Sequence, residues 1–270
     1  KAFFATNRKS DNPLASGFLP SDVVAGTDGA LFVSDWNSHT NARGSGNGLG
    51  GIFRIARKGS VVDMPKIDFK TTEGLLEALK SPAPGVRWVS QDRLKKKAGV
   101  FSELLKFMAA NDGNQYYLAR GLFLMAQLNE EMAEVLVREI LQSNDERMRI
   151  VAMRALRFSG KMPLLALVEK MVNDDSTAVK REILAVMRGM KFEEIRQPLE
   201  SLIAGYDGKN RWYLEALGTV CDDFESEVYL ELVKPQQPAP EVWNERQMNL
   251  AWRLRSPEAL ADLADCMIAK

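Results

Sequence analysis

His39 is the only histidine in 270 residues and sits in Asn37-Ser-His-Thr-Asn-Ala-Arg43. A neutral imidazole there has the chemistry of a general base or a metal ligand. No cysteine and no second histidine stands nearby to complete a donor set, so the simpler reading is a solvent-facing loop residue. Gly46-Asn-Gly48-Leu-Gly-Gly51 fits the G-x-G-x-x-G spacing of dinucleotide sites. That spacing works when a strand precedes it and a helix N-terminus receives the phosphate. Here a strand follows, which makes the glycines a loop. Asp22, Asp28 and Asp35 offer oxygen ligands of the kind calcium takes, without the fixed spacing of an EF-hand. A turn accounts for Asp28, and capping or loop hydrogen bonds account for Asp22, so no metal site is expected. Arg93-Leu-Lys-Lys-Lys97 closes a predicted helix, where cations offset the dipole and face solvent. A di-iron hydroxylase needs several His–Glu pairs, and one histidine excludes it.

These residues sit in a chain of balanced charge, with Lys plus Arg and Asp plus Glu each counting 36. No overall positive field draws it to nucleic acid, and no basic stripe recurs along it, so no nucleic-acid partner is expected. Apolar residues at 46 % and charged residues at 27 % describe a folded chain rather than a disordered one. Apolar runs such as Gly121-Leu-Phe-Leu-Met-Ala126 fall far short of the roughly 20 residues of a bilayer span, so no membrane insertion is expected. Cys221 and Cys266 lie on separate predicted helices and do not form a disulfide framework. The opening Lys1-Ala-Phe-Phe-Ala lacks a continuous apolar signal segment and reads as the interior of a longer chain.

Two textures follow one another: a β segment over 1–62 and a helical region over 63–270. Asp22–Ala25, Ala30–Ser34 and Gly51–Ala56 are short β-branched and aromatic runs, the first two joined by Thr27-Asp-Gly29; they predict a three-stranded antiparallel meander. Such a sheet is marginal alone and must pack against further structure. Beyond it, breaks at Pro82-Ala-Pro84, Asn111-Asp-Gly113, Asn144-Asp145, Asn173-Asp-Asp175, Tyr206-Asp-Gly208 and Pro238-Ala-Pro240 recur about every 30 residues, the signature of an array. About six helix pairs fit. Trp88, Tyr117, Ile150, Ile183 and Tyr213 read as one recurring core position on the second helices. The preceding residues, Arg87, Tyr116, Arg149, Glu182 and Trp212, then line one surface, a candidate protein-binding row set against ordinary packing between repeats.

Pro84-Gly-Val-Arg-Trp-Val89 and Asp145-Glu-Arg-Met-Arg-Ile-Val-Ala-Met-Arg-Ala-Leu156 resemble HEAT repeats. The expected fold is therefore mainly α, a HEAT-like α-solenoid (α-α superhelix) with a short N-terminal antiparallel β segment. The stretch Gly17–Trp36, with Gly51-Ile-Phe-Arg-Ile-Ala56, resembles the last blade of the glucose/sorbosone dehydrogenase-like β-propeller in large secreted bacterial proteins described as membrane-bound dehydrogenases. There the propeller precedes HEAT-like repeats and often a cytochrome c domain. The resemblance implies a non-catalytic C-terminal scaffold or protein-interaction portion of a quinoprotein-like sugar dehydrogenase, in a periplasmic or secreted location. No cofactor is expected in this chain, pyrroloquinoline quinone and haem c belonging to the parent protein. Loops at this end of a blade approach the central pocket, which makes His39, Arg43 and Asp35 the catalytic candidates to test. Neither cysteine sits in a haem-attachment motif: Cys221 is followed by Asp-Asp-Phe and Cys266 by Met-Ile-Ala. The alternative reading is a free-standing HEAT-repeat adaptor that binds a protein partner.

Overall fold

Among the described residues of the computed structural model, 20–35, 51–59 and 64–269, three strands come first and thirteen α-helices follow. The chain divides into two units, Lys1–Tyr117 and Leu118–Lys270. In the first unit β1 (Pro20–Ala25), β2 (Leu31–Asp35) and β3 (Gly51–Ile55) form an antiparallel sheet in the order β1-β2-β3. Gly29 takes the positive φ of 78° that the β1–β2 turn demands. The Asp28 carboxylate accepts the Ala30 N–H and two bonds from the Arg54 guanidinium of β3, at 2.6 and 3.1 Å, so the turn is tied to the far strand. Those Arg54 bonds, with the Ala30 N–H, hold the Asp28 carboxyl below its ordinary range.

The pairing Val23–Val33–Phe53 places those side chains on one face with Leu31, and Val24–Phe32–Arg54 places the others on the opposite face with Ile52. Val33 is buried, yet each face also exposes large apolar groups: Val23 and Leu31 on one, Val24 and Ile52 (77 % exposed) on the other. Three helices complete the described part of this unit before α4: α1 (Thr72–Ala78), α2 (Pro84–Leu94) and α3 (Val100–Ala109), with α1 packed on both others. Thr71 caps α1 and donates its hydroxyl to Asp68. The buried Ser90 hydroxyl of α2 donates to the Leu75 carbonyl of α1. The basic run at the end of α2 is solvent-facing at Arg93, Lys95 and Lys96, as expected, and two of its cations also hold the chain before α1. Arg93 stacks over Phe69 at 5.3 Å and donates to the Phe69 carbonyl, while Lys97 reaches the Lys70 carbonyl and the Thr72 hydroxyl.

After α4 (Gln115–Met125) come α5 (Glu131–Glu139), α6 (Glu146–Ser159), α7 (Leu164–Met171), α8 (Thr177–Met187), α9 (Phe192–Ala204) and α10 (Arg211–Val220). Then α11 (Glu225–Val228) runs into a π-helical stretch, Tyr229–Val233, ahead of α12 (Glu245–Leu254) and α13 (Pro257–Ile268). Pro235, Pro238 and Pro240 fill the connection before α12 with short 3₁₀ turns. Within the second unit packing follows a rule: α6 lies on α8, α8 on α10 and α10 on α12, while α7 lies on α9 and α9 on the π-helical stretch. Thus α6, α8, α10 and α12 pack in succession, and α7, α9 and the π-helical stretch do likewise.

Helix starts recur at near-regular intervals. Six even helices begin at Ala83, Asn114, Asp145, Ser176, Asn210 and Asn244, giving intervals of 31, 31, 31, 34 and 34 residues. All but Ala83 cap the helix with their own side chain. Seven residues after each start stand Ser90, Gly121, Ala152, Ile183, Leu217 and Ala251, every one buried. The core position expected from sequence mixes registers: Trp88 and Ile150 lie five residues after the start, Tyr117 and Tyr213 three, and Ile183 seven. Hence Trp88 is 68 % exposed where Ile183 and Tyr213 are buried.

Candidate functional site

The structure places the predicted catalytic trio in part. Asp35 ends β2 with 3 % of its surface exposed, whereas His39 and Arg43 lie outside the described residues, as do Gly46–Gly50. Asp22 pairs across from Ser34 and its carboxylate accepts the Val23 N–H, and Asp28 stands at the hairpin turn. The three carboxylates therefore serve different parts of the hairpin. Among the described residues no group of three His, Cys, Asp or Glu side chains converges as a metal site. The first unit holds a cleft of about 410 Å³ between the β1–β2 turn and α1. Of its charged lining Asp68 is committed to Thr71 and the Lys70 N–H, and Glu77 to Lys80 at 2.7 Å, while Lys66 also lines it.

The predicted surface row resolves into three positions. Arg87 and Arg149 lie four residues after their helix starts and act alike, each returning a guanidinium to the carbonyl six residues earlier, Ser81 and Ser143, at 2.8 and 2.7 Å. They lock the turn that precedes the helix. Arg149 also holds Asp174, at the turn before α8, through bonds of 2.7 and 2.8 Å. Tyr116 and Trp212 lie two residues after the start and are 67 % and 72 % exposed. Glu182 lies six after and is clamped by Arg154 at 2.6 Å. Each residue turns the helix by about 100°, so positions two and four are separated by about 200° and face apart. Alignment on apolar residues missed this because helices of one repeat bury several different positions. The capping Asn, Asp and Ser residues were the signal that finds it.

Positions two, five and nine fall within about 60° of one another, opposite the buried position seven. On α6, α8, α10 and α12 they are occupied by Arg147, Ile150 and Arg154; Ala178, Arg181 and Ala185; Trp212, Glu215 and Thr219; Arg246, Asn249 and Arg253. Five arginines and one glutamate therefore line the outward face of a contiguous layer. Some are staples between neighbouring helices. Arg154 reaches from α6 to Glu182 of α8, and Arg253 from α12 to Glu215 of α10 at 3.0 Å, packed where Gly218 leaves no Cβ in its way. Arg246 donates to the Ile203, Ala204 and Tyr206 carbonyls and caps the end of α9. The remaining two differ. Arg147 pairs locally with Asp145 and still has 65 % of its side-chain surface exposed, and the buried Nε of Arg181 has no hydrogen-bond partner.

Charge separates by layer as well. α6, α8 and α12 carry more Arg and Lys than Asp and Glu, whereas α5, α9, α11 and α13 carry the reverse excess. The zero net charge of the chain conceals this division. Asp174 shows its local strength: burial opposes ionisation, yet the Arg149 bonds and the Ser176 N–H outweigh it and keep the carboxyl below its ordinary range. Burial dominates at Cys221, outweighing the nearby Arg253 charge, and pushes its thiol up to about 12, which makes it an inert core side chain. No protein-family model, curated protein or solved structure matches the chain. A haem c fits none of these residues, since both cysteines are buried and His39, the only histidine, adjoins neither in sequence. Among the described residues no helix is long and apolar enough to cross a membrane.

Proposed function

We propose that this chain is a HEAT-like helical-repeat scaffold, the non-catalytic C-terminal portion of a quinoprotein-like sugar dehydrogenase. The observation that carries the scaffold reading is the layered packing of helices whose starts recur every 31 or 34 residues, even on even and odd on odd. Each pair buries its faces by stacking on the next, as the units of an α-solenoid do. The β segment supports the dehydrogenase part of the reading. A blade within a propeller is covered on both sides by its neighbours, and this sheet exposes large apolar groups on both faces, Val23 and Leu31 against Val24 and Ile52. Redox chemistry then belongs to a propeller and an electron acceptor outside these residues, in a periplasmic or secreted parent protein, with pyrroloquinoline quinone as the sugar-oxidising group.

The test is dye-coupled sugar oxidation with added pyrroloquinoline quinone, on the 270-residue chain and on the full product of its gene. The expected result is activity in the full product and none in the chain. Oxidation by the chain alone overturns the scaffold assignment. Inactivity of a folded full product overturns the dehydrogenase assignment. That second outcome favours the other reading, a free-standing adaptor, which draws on the exposed Trp212 and the arginines around it.

A further inference from the structure

We propose that the forward face of α12 and α13 is a dimer interface, on which a second copy of the chain docks through the same face about a two-fold axis. α13 is amphipathic in the reverse of the usual sense. Its acids point back into the protein: Glu258 accepts the Ser226 hydroxyl at 3.0 Å, and Asp262 accepts the Tyr229 hydroxyl at 2.6 Å and pairs with Lys234 at 2.8 Å. Each residue turns the helix by about 100°, so Leu260, Ala264 and Met267 fall together on the side opposite Glu258 and Asp262, with Ile268 at their edge. Leu260, Met267 and Ile268 are 47 %, 69 % and 84 % exposed. α12 extends the same side. Eight residues after their caps, Met153 of α6, Leu184 of α8 and Gly218 of α10 are buried, and a Cβ on Gly218 would strike the Arg253 side chain of α12, so this position faces the next even helix. On α12 it is Trp252, 53 % exposed.

A stacked helix pair whose outer side meets only water keeps that side polar, and this one does not. The contact that covers it continues the packing already made between successive helices, and a second copy fits it on three counts. The α13 stripe is self-complementary: an antiparallel copy crossing at Ala264 sets Leu260 of one chain against Met267 and Ile268 of the other, with the small residue at the axis, as an isologous contact requires. Charge permits the approach, because Glu258, Asp262 and Asp265 lie within about 60° of one another on the far side of the helix and none meets its own copy. The exposed parts of these side chains amount to about 500 Å² per copy and about 1,000 Å² for the pair, the threshold of a specific interface, which places dimerisation in the micromolar range. A lipid surface fits poorly, since α13 carries no Lys or Arg where interfacial helices carry cations.

The experiment is sedimentation velocity from about 2 to about 200 µM, on the 270-residue chain and on the full product of its gene. The 30.2 kDa chain should approach twice its mass across this range, and the full product should do likewise. Leu260→Glu and Met267→Glu, at positions already exposed, should each raise the dissociation constant about tenfold or more with unchanged circular dichroism and urea unfolding, while Met132→Glu, comparably exposed on α5, leaves it as it was. Ala264→Cys should link two chains through a disulfide on mild oxidation, both native cysteines being buried. A chain that stays monomeric at about 200 µM, or a dimer indifferent to Leu260→Glu and Met267→Glu, overturns the proposal. A dimer that Ala264→Cys does not link overturns the two-fold arrangement. A dimeric chain with a monomeric full product overturns it in favour of a covering segment of the same polypeptide, and each of these outcomes leaves the dehydrogenase reading to its own oxidation assay.

Discussion

Replacing Asp174 by asparagine removes a negative charge but keeps an oxygen for the Ser176 N–H, so the change isolates what the charge contributes. In the native chain that carboxylate receives two bonds from Arg149, and the two side chains are only 9 % and 15 % exposed. Arg149 then loses its opposite charge and the Nε bond to the second carboxylate oxygen, and keeps the shared Oδ1 and the Ser143 carbonyl. Stripping the partner from a fully buried charge costs about 3–5 kcal/mol. This pair sits at the rim of the core, so about 2–3 kcal/mol is expected for Asp174→Asn. A double-mutant cycle with Arg149→Met, measured by urea unfolding and far-UV circular dichroism, should give a coupling of about 1.5–3 kcal/mol. A coupling below about 0.5 kcal/mol, the value of solvent-exposed pairs, would refute the reasoning. The pH dependence supplies a second check. The Asp174 carboxyl titrates below its ordinary range in the folded chain. Its contribution is therefore fully present above the unfolded value of about 4 and is lost as pH falls through the depressed native value. The stability gap between the native chain and Asp174→Asn should hold constant from about pH 7 to 5 and close only in stronger acid. Closure already within that window contradicts the assignment.

Three further outcomes test the register and the packing. Ile183→Ala, at a fully buried position, should cost about 3 kcal/mol, whereas Trp88→Ala, mostly exposed, should stay within about 1 kcal/mol in the same unfolding assay; equal losses would restore the sequence-derived alignment. Gly74→Ala places a Cβ 2.5 Å from the Asp68 carbonyl oxygen, a backbone atom, so a loss of about 1–3 kcal/mol should exceed the gain of about 1 kcal/mol in helix preference and lower the melting temperature. Cys221, its thiol pushed up to about 12 by burial, and the fully buried Cys266 should both resist Ellman's reagent at about pH 8 and both react in urea; prompt labelling in the native chain would place either thiol at the surface.

Secondary structure was legible because it rests on local rules. The Thr27-Asp-Gly29 turn needed a residue tolerant of positive φ, and Gly29 supplies it; β1, β2 and β3 then fall within a residue or two of their predicted bounds. Breaks rich in Asn, Asp and Pro marked where helices stop, because those residues bond their own backbone more readily than they continue a helix. What periodicity alone did not supply was register. Tyr213 and Ile183 are both buried apolar residues on even helices, yet they lie four positions apart relative to their caps. A helix that packs against an odd partner and two even neighbours buries most of its circumference, and an apolar residue then fits several positions.

The same point decides what the arginines do. Arg149 and Arg147 are two residues apart on α6, identical in chemistry, and both were in plain view as sequence. The helix turns about 200° between them. Arg149 is carried towards the core side, where it locks its own turn to the Ser143 carbonyl and the next turn to Asp174; Arg147 is carried outward and keeps most of its surface in solvent. One ties two turns together, and the other holds the Asp145 cap of its own helix. Arg87 repeats the inward role on α2, and Arg154, at the outward position, divides its guanidinium between a staple to Glu182 and solvent. The structural role of an arginine on these helices is therefore set by cap-relative position more than by residue type. Counting from Asp145, Ser176 and Asn210 separates the arginines that tie turns to neighbouring helices from those that face outward.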